Sequence, residues 1–216
     1  MMMRIKEKEK IKLIEDYLDL LYNDAKCELN YNKDYELLIA VVLSAQTTDK
    51  RVNSVTPILF DRYKTLEELS KANVEDISYI IRPIGTFRKK AIFIKEIARI
   101  LHNDYNDKVP SDRKILEELP GVGRKTASVV LSNLFNERAI AVDTHVERVS
   151  KRLGLAEEED SVLEVEKKLM NKFNKDKWSK LHHQLVLFGR YNCKAIKPDC
   201  KKCKLGVICN RMKGQL

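Results

Sequence analysis

The chain has 216 residues, enough to bury a real hydrophobic core in one large domain or two small ones. Hydrophobic residues at 44% against 34% charged exclude a disordered or membrane-embedded chain, and the longest apolar run, residues 37–43, is far too short to span a bilayer. The net charge of +9 is uneven: residues 189–216 hold eight Lys or Arg and one acid, Asp199, which suits a polyanionic partner and equally a solvated basic face.

Only 7 Gly and 5 Pro in a chain rich in Leu, Ile, Glu and Lys favour helices. Met1-Met2-Met3-Arg4 runs straight into alternating Lys and Glu, without the apolar core of a signal peptide. Residues 5–21 carry Ile11, Ile14, Leu18 and Leu21 at helical spacing. Residues 35–44 are nearly all apolar and long enough for a buried helix. Residues 49–63 read as an amphipathic helix interrupted near Pro57. Shorter helices are predicted over residues 65–71, 74–81, 88–104 and 111–119, the last capped by Ser111 or Asp112.

A glycine turn, a basic residue and a helix recur twice. The weaker case is Ile84-Gly85-Thr86-Phe87-Arg88-Lys89-Lys90-Ala91. The stronger is Leu119-Pro120-Gly121-Val122-Gly123-Arg124-Lys125-Thr126-Ala127. The helix that follows has Ala127, Val130, Leu131 and Leu134 on one face. Next comes Ile140-Ala141-Val142-Asp143-Thr144-His145. Here Thr144 and Glu147 fit a capping box, which leaves Asp143 free for other work. Val146, Val149 and Leu153 form a buried face, and Gly154 ends the helix. Strand signals are weak throughout, so the fold class is all-α.

In the second turn, Gly121 and Gly123 allow positive φ and a close approach of backbone to ligand. Amides at the start of the next helix then point toward an anion. This is the physics of a helix-hairpin-helix over residues 111–134, which grips DNA phosphates without reading sequence. The alternative is an ordinary packing corner between helices. Lys125 in the first helical turn faces the positive end of the dipole, and Arg124 adds to the field; both disfavour the ammonium and favour a nucleophilic amine. From spacing alone, Lys125 is a solvated charge or a phosphate contact.

Four of the five cysteines follow the pattern Cys193-x6-Cys200-x2-Cys203-x5-Cys209. In a chain expected to be intracellular, that density suggests a metal site more than disulfides. Zinc is the generic choice for four thiolates. A zinc ribbon, however, has two C-x-x-C knuckles, and this loop has one. Cys27 stands alone and reads as a plain buried side chain.

Together with the LPGVGRKTA run, Leu43-Ser44-Ala45-Gln46-Thr47-Thr48-Asp49, the Ile140–His145 run, Phe188-Gly189-Arg190-Tyr191-Asn192-Cys193 and the cysteine loop resemble the endonuclease III family, in the same order along nearly the whole chain. The resemblance implies an all-α, helix-hairpin-helix DNA glycosylase fold. A helical barrel would span residues 27–138. Residues 1–26 and 139–216 would form an iron–sulfur domain, with DNA across the cleft between the two. It implies a bifunctional DNA glycosylase and abasic-site lyase for oxidised pyrimidines in base excision repair. The partner is double-stranded DNA with a damaged pyrimidine or an abasic site, and the enzyme is a monomer in the cytoplasm or on the nucleoid.

Site roles follow from the same resemblance. Lys125 attacks C1′ and forms a Schiff base, and Asp143 assists it and stabilises charge on the sugar. Gln46 enters the duplex. Gly121, Val122, Gly123, Arg124, Thr126, Arg190 and Lys194 contact DNA. Cys193, Cys200, Cys203 and Cys209 hold a [4Fe–4S] cluster. Thr86 departs from the pattern, since many relatives carry Leu there, and threonine is a poorer wedge. Three rival readings are a monofunctional mismatch glycosylase of the same fold, a non-catalytic DNA-binding module and a zinc-bearing nucleic-acid adaptor. Lys125 and the lack of an added C-terminal recognition domain speak against the mismatch enzyme.

Overall fold

The computed structural model describes residues 6–135 and 137–212. The reading of Met1–Arg4 and the last basic residue of the tail, Lys213, lie outside them. Among the described residues there are eleven α-helices, several short 3-10 turns and no strand. The chain divides into two compact units, residues 28–137 and residues 1–27 with 138–216. Cys27 and Arg138, expected in the barrel, fall with the terminal segments.

The 28–137 unit is built around α2 (Asp34–Ser44), whose residues from Tyr35 to Leu43 are all buried. A helix apolar on every side can only sit inside others. It packs against α3 (Asp49–Arg62), α6 (Phe87–Tyr105) and α8 (Arg124–Leu134). α4 (Leu66–Lys71) and α5 (Val74–Ile80) cover α6, whose buried face is Ala91, Ile94, Ile97, Ala98 and Leu101. α7 (Arg113–Glu118) leads into α8. α3 corrects the expected break: it runs unbroken through Pro57. Proline removes one backbone donor, but Pro57 is exposed while Val52, Val55, Thr56 and Leu59 are buried. Burial of that face holds the helix together.

The other unit contains α1 (Glu7–Leu21), α9 (Thr144–Arg152), α10 (Val162–Lys172) and α11 (Trp178–Tyr191). The last two helices are not anticipated from the sequence. Ser161 caps α10 in a capping box with Glu164. The core joins Ile14 and Leu18 of α1, Val146 and Val149 of α9, Leu169 of α10 and Phe188 of α11 to Leu205 and Ile208. Tyr17 meets Phe188 edge to face, with centroids 6.2 Å apart. α9 ends in a Schellman motif: Gly154 has φ +64, its amide bonds Lys151 O, and the Leu155 amide bonds Ser150 O. Among the described residues no helix is long and apolar enough to cross a membrane.

Candidate functional site

The hairpin begins at α7, where the Asp112 carboxylate accepts the Lys114 and Ile115 amides at 2.7 and 3.1 Å. Asp112, not Ser111, is therefore the cap. The Val122 amide then closes a turn onto Leu119 O at 3.0 Å, with Pro120 and Gly121 as its central residues. Gly121 has φ +77, so this is the proline-then-glycine order of a type II turn. A β-carbon at Gly121 would also lie 2.5 Å from the Phe93 ring. Gly123 has no such demand. Its backbone is extended, and a β-carbon there would meet nothing within 4 Å. Val122 between them is buried.

Gly123 is the N-cap of α8 and brings no side-chain cap. The first turn of α8, with Arg124, Lys125 and Thr126, begins beside the open space over Gly123. Arg124 and Lys125 are exposed and Thr126 is half-buried.

Gln46 follows α2 in the same unit. It is exposed and holds φ 56. Thr86, the N-cap of α6, is also exposed and holds φ 55. Left-handed backbone is uncommon for non-glycine residues, and β-branched ones are outliers there. These turns adjoin: a β-carbon on Gly85 would lie 3.6 Å from Gln46 O and from Thr47 Oγ1. The buried Lys90 ammonium donates to Leu43 O at 2.9 Å and Ala45 O at 2.6 Å. Sequence reading missed this residue, which looks like one more lysine in a basic run.

In the unit of the termini, Asp143 is the N-cap of α9. Its Oδ1 accepts the His145 and Val146 amides, each at 2.8 Å. This corrects the expected Thr144–Glu147 capping box. Asp143 has extended backbone, Thr144 is already helical, and the Glu147 carboxylate takes Lys151 at 2.8 Å instead. Both cap bonds use one oxygen of Asp143. Lys125 and Asp143 belong to different units.

α9 also organises the cysteine loop. Gly189 of α11 packs so tightly on α9 that a β-carbon would lie 2.8 Å from His145 Cβ and 3.2 Å from Val149 Cγ2. That approach brings Arg148 to Gly189 O at 2.7 Å and Cys193 O at 3.2 Å. Arg152 reaches Lys194 O at 2.8 Å and Cys193 Sγ at 3.3 Å. Burial, with Arg152 adding to it, pushes the Arg148 guanidinium down. Neither arginine is signalled by the sequence. Arg190 is half-buried in the last turn of α11, and Lys194 is exposed.

Cys193, Cys200, Cys203 and Cys209 line one cavity of about 260 Å³, walled also by Tyr17, Leu153 and Phe188. Burial pushes the Cys203 thiol up, and the other three sulfurs add to the shift. Among the described residues, no three potential ligands are drawn together around a single ion. Cys27 is half-buried and apart from this set.

Comparison with known proteins places this geometry in context. Residues 39–175 match the model of the HhH-GPD superfamily of base excision DNA repair proteins. Endonuclease III of Bacillus subtilis (strain 168) is 50% identical over 202 residues, covering 92% of each chain. That of Rickettsia felis is 48% identical, covering 85% of this chain and 86% of its own. A solved structure of a trapped endonuclease III–DNA covalent intermediate superposes with a TM-score of 0.92 at 48% identity, over 98% of this chain and 99% of that one. A thermostable thymine-DNA glycosylase follows at TM-score 0.84 and 26% identity, over 95% and 98%. The chain belongs to the HhH-GPD superfamily of base excision DNA repair proteins and, within it, to the endonuclease III family.

Proposed function

We infer that this protein is a bifunctional DNA glycosylase and abasic-site lyase of base excision repair, acting on double-stranded DNA with an oxidised pyrimidine or an abasic site, as a monomer in the cytoplasm or on the nucleoid. The observation that carries the reading is Lys125, an exposed amine in the first turn of α8, directly behind the Leu119–Val122 turn. A relative of nearly the same fold has been trapped covalently on DNA. A mismatch-only enzyme needs no amine at that point.

The steps follow from the residues. The target nucleotide leaves the stack, at a cost of a few kcal/mol, while Gln46 enters the duplex. Gly121, Val122, Gly123, Arg124 and Thr126 hold a phosphate at the open start of α8, and Arg190 and Lys194 add backbone contacts. Lys125 Nζ attacks C1′, and the base departs with the C1′–N bond pair. Opening of the sugar gives an imine between Nζ and C1′. Loss of a 2′ proton pushes electrons toward that imine and expels the 3′ phosphate. Water then releases Lys125. Asp143 stabilises the positive charge that develops on the sugar.

Cys193, Cys200, Cys203 and Cys209 fit a [4Fe–4S] cluster. The donor set is four thiols lining one cavity, the number and type of ligand such a cluster takes. When bound, the cluster cross-links the loop and supplies no reacting atom.

Borohydride trapping on a thymine glycol duplex tests the reading. The wild type forms a covalent protein–DNA adduct, and Lys125→Ala forms none. Intact, iron-loaded wild type that yields no adduct overturns the bifunctional reading in favour of a monofunctional glycosylase or a binding module.

A further inference from the structure

Arg88, Lys89 and Lys90 follow one another at the start of α6. Two are exposed, and Lys90 is 4% exposed. A buried ammonium is expensive unless its hydrogens are bonded, so its surroundings need an explanation. α2 is buried from Tyr35 to Leu43, and the last carbonyls of a helix have no intrahelical donor. Lys90 Nζ reaches three acceptors there: Leu43 O at 2.9 Å, Ala45 O at 2.6 Å and Thr47 Oγ1 at 3.4 Å. An ammonium has three donors, and the C-terminal end of a helix is where the dipole favours a cation. None of the three acceptors is a carboxylate. Burial pushes the lysine down in pKa with no anion to offset it, so the backbone contacts are what this charge is kept for.

The acceptors bracket Gln46, which lies between Ala45 and Thr47. At the other end of the same contact, the Lys90 amide bonds Thr86 O at 3.1 Å, and Gly85 lies against Gln46 O. One side chain thus ties two exposed turns, each with a non-glycine residue in left-handed backbone. Such strain persists only where the surroundings enforce it.

We propose that Lys90 is a positioning residue for DNA distortion: it locks the turn of Gln46 against the turn of Thr86, so that the two enter the duplex as one rigid wedge. The proposal rests on the reading of Gln46 as the residue that enters DNA. A wedge on a loose turn would yield instead of unstacking the bases, so Lys90 acts on the duplex substrate without touching the sugar.

The test compares full-length, iron-loaded wild type with Lys90→Met, Lys90→Gln, Lys90→Arg and Gln46→Ala. Methionine keeps the stem and removes every donor. Glutamine keeps two donors, so it serves if methionine prevents folding, and arginine tests rescue. Three readouts are taken: hydrogen exchange of residues 43–48, fluorescence of 2-aminopurine beside a tetrahydrofuran abasic analogue, and single-turnover cleavage of duplex against single-stranded abasic DNA. Loss of the donors speeds exchange in 43–48 and lowers the fluorescence. It slows duplex cleavage by about tenfold to a hundredfold and single-strand cleavage by no more than about twofold, because only geometry is lost. Arginine restores most of the duplex rate. Unchanged exchange overturns the lock. Faster exchange with an unchanged duplex rate overturns its role in distortion. Equal losses on both DNAs overturn it too, by revealing general structural damage. If Gln46→Ala leaves the fluorescence untouched, the reading of Gln46 fails and takes the wedge with it, while the exchange result still reports whether the lock exists.

Discussion

Arg152 donates through Nη1 to Cys193 Sγ at 3.3 Å while the same nitrogen bonds Lys194 O at 2.8 Å. One guanidinium thus fastens both the sulfur and the chain that leaves it, from a helix whose N-terminus is capped by Asp143. Nη2 extends the grip to Ala195 O at 3.3 Å. Arg152→Ala is expected to lose about 1.5–3 kcal/mol of stability and to be purified with less bound iron. Melting temperature and visible absorbance per chain check this. Full iron content with an unchanged melting temperature would sink it.

The two glycines of the hairpin predict opposite outcomes. Gly121→Ala forces a side chain into φ +77 and into the Phe93 ring at 2.5 Å, so it should cost about 2–3 kcal/mol, the left-handed backbone alone being 1–2 kcal/mol. Gly123→Ala meets no protein atom and should leave stability unchanged or raise it by about 0.4–1 kcal/mol. On the proposed phosphate contact its methyl would occupy the space the phosphate takes, so duplex affinity is expected to fall. Thermal unfolding paired with binding to an abasic analogue separates the two. A Gly123→Ala protein that binds normally would show that DNA does not approach there.

Helices whose apolar residues repeat along the chain were legible as sequence, and α2 most of all, because a continuous apolar run has no other place to go. Pro57 misled because propensity ranks one residue, while the burial of Val52, Val55 and Leu59 outweighs the lost donor. Asp143 misled because Asp-Thr offers two possible caps one residue apart, and only the backbone angles decide between them. Lys90 was not legible at all. Its main-chain partners, Leu43 O and Ala45 O, lie 47 and 45 residues away, and a carbonyl leaves no mark on composition or spacing. Arg148 and Arg152 are hidden for the same reason.

Acid should loosen α1. Asp19 is held by Lys180 and by Gln184, both at 2.7 Å, Glu15 by Lys177 at 2.9 Å, and Glu7 by Lys172. The Lys180 ammonium holds the Asp19 carboxyl below the usual range, and Lys172 does the same for Glu7. A carboxyl depressed in the folded state contributes fully above its unfolded pKa and loses that contribution as pH falls through its folded one. These pairs are largely exposed, so together they are worth roughly 1 kcal/mol. The double variant Glu7→Gln, Asp19→Asn should melt a few degrees below wild type at pH 7, with the gap closing below about pH 4 and shrinking in high salt. A gap constant down to pH 3 would mean the lysine pairs do not hold α1.

Asp143 is a helix cap in the structure and a catalytic partner in the proposed mechanism, and one substitution can separate the two. As a cap it needs only an oxygen acceptor, since Oδ1 takes both the His145 and Val146 amides. As a catalytic partner it needs negative charge. Asparagine caps as well as aspartate, so Asp143→Asn should keep the wild-type melting temperature to within a few tenths of a kcal/mol. Asp143→Ala should lose about 1 kcal/mol through the cap. Both should slow single-turnover cleavage by about a hundredfold or more, because the charge that stabilises the sugar cation is gone in each. Stability should therefore rank wild type with Asn above Ala, while activity ranks wild type above both. An Asp143→Asn protein that cleaves at the wild-type rate would reduce Asp143 to a helix cap and leave Lys125 to work without a carboxylate at that position.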